Sequence, residues 1–170
     1  MYRHLLIPTD GYPLSMEAIT HGVELARETG AKVSVVTVTE PFHMFSFGVV
    51  QLEDTPRDYR REMEQRAART LEEAANVANA AGVAHEEVHV EDDEPYRAII
   101  RVAEERGCDL IVMASHGRRG VAALVLGSET VKVLTHSTTP VLVYRLPATK
   151  AESVRQAKAR RETGAVSEPA

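Results

Sequence analysis

The chain has 170 residues, 44% apolar and 26% charged, with a formal net charge of -5. That length suits one domain around one core. No apolar run nears the roughly 20 residues of a membrane span, and the acidic balance argues against nucleic acid, whose binding needs Lys and Arg to neutralise phosphate. The apolar run at the amino terminus stops at Pro8, too early for a signal peptide, and the single Cys108 cannot form an internal disulfide; a cytoplasmic location is expected, with no membrane partner.

Strand and helix patterns alternate along the chain. Residues 3–9 read as a strand whose continuous apolar stretch, Leu5 to Ile7, suits a parallel sheet covered on both faces. Ser15 is the expected N-cap of a helix with Glu17 in its first turn, running to Thr29 with Gly30 as its terminator. Residues 33–38 form a β-branched second strand. A long connection, 40–58, holds Phe42, Phe45 and Phe47 beside Met44. It serves either as surface padding or as a lid or partner surface. Residues 59–81 carry apolar positions at three- and four-residue steps and end at Gly82. Residues 85–90 are a short strand near a sheet edge. Pro95, after Asp92, Asp93 and Glu94, opens a helix that turns Ile99, Ile100 and Ala103 inward and ends at Gly107. Cys108 packs as a small hydrophobe before the strand at 110–113. Gly127 and Ser128 lead a helix to about Thr135, and 141–143 is the last strand. The domain is expected to span 1–146, with a polar tail at 147–170 that is partly helical or disordered and carries Lys158, Arg160 and Arg161.

Five strands alternating with four helices predict a doubly wound parallel α/β sheet of order 3-2-1-4-5, with helices on both faces. Ligands of such sheets sit beyond the carboxyl ends of the strands, where the strand order reverses. Here that point lies between the first and fourth strands. Pro8, Thr9 and Asp10 should therefore meet Met113, Ala114 and Ser115 at one crevice.

The segment after the fourth strand, from Met113 through His116, Gly117, Arg118 and Arg119 to Gly127 and Ser128, combines a strand, glycines and a fresh helix start. Glycine lets backbone approach a ligand, and a helix amino terminus offers unpaired N–H groups to an anion. Phosphate binding is one reading; ordinary turns are the other. Asp10 could accept hydrogen bonds from ribose hydroxyls, or shape an Asp-Gly turn. Arg118 and Arg119 could neutralise a polyphosphate or form solvated basic surface. His116 could touch a phosphate, although shaping the loop by bonding backbone fits it better. No P-loop and no dinucleotide glycine fingerprint occurs, nor a histidine zinc spacing or a Gly-x-Ser-x-Gly elbow.

These residues together resemble the universal stress protein family over about Met1 to Arg145. The family pattern is Gly, two residues, Gly, nine residues, then Gly with Ser or Thr. Gly117, the nine residues 118–126, Gly127 and Ser128 reproduce most of it, while Ala114 replaces the first glycine. Residues 7–10 look like the family's first strand and ribose-binding aspartate, and 137–144 like its closing strand. The resemblance implies an adenine nucleotide alpha hydrolase-like fold and an adenine nucleotide, ATP with or without Mg, as ligand. It places the sugar on Asp10, and the adenine on the backbone of Val38 with Pro8 and Thr9 nearby. Met113, Ala114, His116 and Gly117 line the nucleoside and first phosphates; Gly127, Ser128 and Glu129 bind phosphate from the helix terminus. It also implies a homodimer through the last strand, 141–144, and a regulatory stress-response binder with slow or no hydrolysis rather than an enzyme. The alternatives are a nucleotide-free dimeric interaction protein of the same fold and, less favoured, an ATP-cleaving adenylyl-transfer enzyme. The Ser-Gly-Gly-x-Asp-Ser of such enzymes is replaced here by Thr9-Asp10-Gly11-Tyr12-Pro13.

Overall fold

The computed structural model describes residues 1–42, 56–116 and 126–145. The expected residues Met44, Phe45 and Phe47 of the long connection, and the tail 147–170, lie outside them. The element order is β1 (His4–Pro8), α1 (Pro13–Thr29), β2 (Lys32–Thr39), α2 (Pro56–Ala80), β3 (His85–Glu91), α3 (Pro95–Glu105), β4 (Leu110–Ala114), α4 (Ser128–His136) and β5 (Val141–Tyr144). All strand pairs are parallel, in the expected order β3-β2-β1-β4-β5.

Alternation along the central strands divides the core between the two faces of the sheet. Leu5 and Ile7 of β1 join Val33, Val35, Leu110 and Val112 beneath α1 and α2. Leu6 joins Val36, Ile111 and Met113 against Ile99, Val102 and Val133 of α3 and α4. A strand buried on both faces must be apolar throughout, which is why β1 and β4 read as unbroken apolar runs. Gly30, Gly82 and Gly107 follow three helices with φ of 70°, 68° and 64°, the left-handed backbone expected where a helix stops before a strand.

Two boundaries differ from the sequence reading. Helix α1 begins at Pro13 with Tyr12 as N-cap, and no acidic residue stands in its first turn. Proline at the first helical position pre-sets φ and gives up an N–H that the helix could not use. Ser15, inside that turn, is buried and turns its hydroxyl to Asp10 and to the Tyr12 carbonyl. Helix α2 likewise begins at Pro56, three residues before the periodic pattern does.

At the amino-terminal edge of the sheet, buried His4 bonds Ser34 through Nε2 at 2.7 Å, and the Ser34 hydroxyl donates to Glu86 Oε1 at 2.6 Å. Arg106 pairs with the same carboxylate, and Asp109 accepts the N–H groups of Arg3 and His4. Burial pushes the Cys108 thiol up to about 11, consistent with a packing role. Burial, aided by Lys32, lowers the His4 pKa; Glu86 and Asp109 oppose that. A histidine depressed on folding takes up its proton more readily when unfolded. Its stabilising contribution is therefore complete above about pH 6.5 and is lost as pH falls through the folded value. Urea unfolding between pH 7.5 and 5.5 should show a steeper loss for the wild type than for His4→Gln; equal slopes would assign the loss elsewhere.

Candidate functional site

The winding reverses at β1, and a cavity of about 770 Å³ opens there over the carboxyl ends of the strands. That is within the usual range for small-molecule sites. Its floor includes Pro8, Thr9, Val38, Met113 and Ala114. Asp10, His116, Gly127, Ser128 and Glu129 stand around it. Ten of the sequence-derived site residues thus share one cavity, although β1 and α4 are far apart in the chain. Gly117, Arg118 and Arg119 lie outside the described residues.

The β1–α1 turn is held by hydrogen bonds. Asp10 Oδ1 accepts Tyr12 N–H at 3.1 Å and the Ser15 hydroxyl at 2.7 Å. Thr9 Oγ1 accepts Gly11 N–H at 3.1 Å and bonds Ser15 Oγ at 3.1 Å. The carboxylate at the rim is therefore fixed in direction before any ligand arrives. Gly11 needs its glycine twice over. Its φ is +76°, and a Cβ there would stand 2.7 Å from Thr70 Oγ1 of α2.

On the other side, the Ser115 N–H continues the β4–β5 pairing to the Tyr144 carbonyl at 2.8 Å. The Ser115 carbonyl accepts Gly127 N–H at 2.8 Å. Thr130 Oγ1 donates to the Ala114 carbonyl at 3.1 Å, so α4 is tied to the end of β4 at two points. Gly127 has an ordinary φ of -62°; its constraint is space, since a Cβ would lie 3.0 Å from His116 Cα. Ala114, in the place of the pattern's first glycine, is a buried strand residue grouped with Leu14 and Ala18, and no described non-glycine residue has positive φ. The methyl is accommodated without strain. His116 Nδ1 bonds Ser115 Oγ at 3.1 Å, a contact with the neighbouring side chain rather than with backbone.

Helix α4 aims its amino terminus at the cavity, where its first amides have no intrahelical acceptor. Glu129 does more than its sequence position suggested. Its Oε2 accepts Tyr96 N–H at 3.0 Å, capping α3, and its Oε1 accepts from Lys132 Nζ at 2.9 Å. A ligand anion there would meet the backbone of the first turn and the Ser128 hydroxyl rather than this carboxylate. Among the described residues, no cluster of three or more His, Cys, Asp or Glu is arranged to hold a metal.

Sequence reasoning missed one whole wall: Tyr59, Met63, Arg66 and Thr70 of α2, together with Tyr12. It also missed Asp93, Pro95 and Lys132 on the α3–α4 side. No motif marks these residues. The available signal was the excess length of α2 over the strands it connects.

Residues 1–145 match the profile of the universal stress protein family. Universal stress protein YxiE of Bacillus subtilis is 31% identical over 149 residues, covering 85% of this chain and all of that protein. The solved structure of MJ0577, a Methanocaldococcus jannaschii universal stress protein, superposes with a TM-score of 0.72 at 24% identity, covering 86% of this chain and 98% of its own. A universal stress protein solved in complex with cAMP gives 0.63 at 28% identity, covering 86% and 99%. The chain belongs to the universal stress protein family.

The Gly11 geometry yields a stability test. Gly11→Ala should destabilise by about 1–3 kcal/mol in urea unfolding, through the left-handed backbone and the Thr70 contact. Combined with Thr70→Ala the cost should be less than additive, because the deletion removes the clash and leaves only the backbone strain.

Proposed function

We propose that this universal stress protein binds an adenine nucleotide, ATP foremost, at the β1–β4 crevice and acts as a stress-response binding protein with slow or no hydrolysis. The observation that carries this is the convergence of Asp10 and the α4 amino terminus on one cavity. Asp10 would take the sugar hydroxyls, and the backbone near Val38 the base. The amides of Ser128 and Glu129 and the Ser128 hydroxyl would take the phosphates beside Gly127, whose own N–H is held by the Ser115 carbonyl, helped by Gly117, Arg118 and Arg119. The relative solved with cAMP, at 28% identity, supports a nucleotide as the ligand class. A Mg ion would arrive with the nucleotide's phosphates.

The proposal extends to a cytoplasmic homodimer joined along β5. That strand is one of the two edges of the sheet formed by the described residues, and its Leu142 is 41% exposed. A strand at a sheet edge with an exposed apolar side chain is a natural seam for a second copy. No helix among the described residues is long and apolar enough to cross a membrane.

Calorimetric titration tests the site. Wild type should bind ATP, and Asp10→Asn should lose affinity roughly tenfold while keeping its unfolding midpoint. The amide retains an Oδ1 for Tyr12 and Ser15 but lacks the charged acceptor. Phosphate release should stay below about 1 s⁻¹, the low end of ordinary enzymes. If ATP neither binds nor shifts the melting temperature, the nucleotide-free interaction protein replaces this reading. Formation of AMP and pyrophosphate would replace it with adenylyl transfer.

A further inference from the structure

One wall of the crevice has no part in the reading above: the first half of α2. As helix, the 25 residues of Pro56–Ala80 span about 37 Å, whereas the 8 residues of Lys32–Thr39 span about 26 Å as strand. Strand β3 starts in register with Val33, near the start of β2, so the excess of about 10 Å overhangs the carboxyl ends of the strands. That excess covers the first turns of α2, to about Met63; Tyr59, Met63, Arg66 and Thr70 follow one another at helical spacing from the overhang back onto the sheet and line the cavity.

Among the described residues, Arg66 and Lys132 are the lysine and arginine side chains on the cavity wall. Lys132 is engaged by Glu129. Arg66 has no carboxylate partner among the described residues; its guanidinium carbon lies 5.9 Å from the centroid of the Tyr12 ring. Arginines elsewhere on α3 and its flanks are paired: Arg97 with Glu94, Arg101 with Asp92, Arg106 with Glu86. The placement of Arg66 is also defined. Thr70, one helical turn further along α2, abuts Gly11, and Tyr12 is fixed as the N-cap of α1. The guanidinium therefore stands over the turn that carries Asp10.

The same cavity is lined by Asp10, Glu40, Asp93 and Glu129. The four carboxylates oppose an entering phosphate through their field even where none touches it, and fixed cations and amide dipoles must offset that. A guanidinium over an aromatic ring, with no carboxylate on its donor fork among the described residues, suits a phosphate oxygen pair. We propose that Arg66 selects for a phosphate carried on the ligand's sugar, making the crevice prefer adenine nucleotides to adenosine. This rests on the reading of the crevice as an adenine-nucleotide site, which it deepens.

The test titrates wild type, Arg66→Met and Arg66→Lys with ATP, AMP, adenosine and inorganic tripolyphosphate. Methionine keeps an unbranched stem and a strong helix preference, so the wall should survive. Arg66→Met should weaken ATP, AMP and tripolyphosphate roughly tenfold or more while leaving adenosine within about twofold. Arg66→Lys should restore part of the loss, because it returns the charge without the planar fork. Equal losses for adenosine and ATP would make Arg66 a packing residue and overturn the proposal. Unchanged ATP and tripolyphosphate affinity would overturn it as well. Tripolyphosphate binding that depends on Arg66 in a protein indifferent to adenosine and AMP would sink the adenine reading and leave the role of Arg66 in anion selection standing.

Discussion

The reversal of winding at β1 is the constraint from which the rest of the molecule follows. Strand β1 lies between β2 and β4, with α1 and α2 on one face of the sheet and α3 and α4 on the other. The chain leaves β1 and β4 toward opposite faces, and the described residues leave a cavity above the carboxyl ends of these strands. That space exists only because β1 is apolar on both faces: Leu5, Leu6 and Ile7 are each fully buried. A polar residue at any of them would have to be satisfied in the middle of two cores. The crevice thus depends on three side chains that never touch its contents.

What the fold provides, short-range contacts then sharpen. The two rims are built by different means. On the β1 side, side-chain oxygens of Thr9, Asp10 and Ser15 organise a turn around Gly11. On the β4 side, backbone bonds from Ser115 and a buried Thr130 hydroxyl lock α4 in place. Glu129 then couples the rim to α3 by capping it. Each device removes freedom before binding, when ordering would otherwise be charged against affinity.

The order of the elements was legible because glycine and proline punctuate this chain so regularly, and the structure's left-handed Gly30, Gly82 and Gly107 show the physical reason. The site was legible where chemistry and topology coincide, at Asp10 and at Gly127 with Ser128. It was illegible where a residue's role depends on distance across the fold. Ser15 has the residue type of a cap, yet Pro13 opens α1 by the same rule that Pro95 obeys in α3. Met63 fits a core stripe, and at helical spacing a stripe says nothing about whether it overhangs a sheet. Glycine arguments also divide by cause. Gly11 is required by its backbone angle, whereas Gly127 is required by the nearness of His116. Gly11 stands outside the family pattern and Gly127 within it, and only the strand geometry at Ala114 shows why a methyl is harmless there.

The balance of donors and acceptors around the crevice explains why binding without rapid turnover is the role proposed for it. Two of the carboxylates lining the cavity already hold protein groups: Asp10 accepts from Tyr12 and Ser15, and Glu129 from Tyr96 and Lys132. A general base must be free to take a proton from an attacking water within hydrogen-bond reach. Carboxylates occupied in fixing a turn and capping a helix are better placed to hold than to react. The donors, by contrast, are numerous and stationary: the first amides of α4, the Ser128 hydroxyl and the Arg66 guanidinium. Fixed donors that meet a phosphate equally well before and during bond cleavage lower the energy of both states together. Such uniform binding strengthens occupancy without lowering the barrier, as the proposed binding role requires.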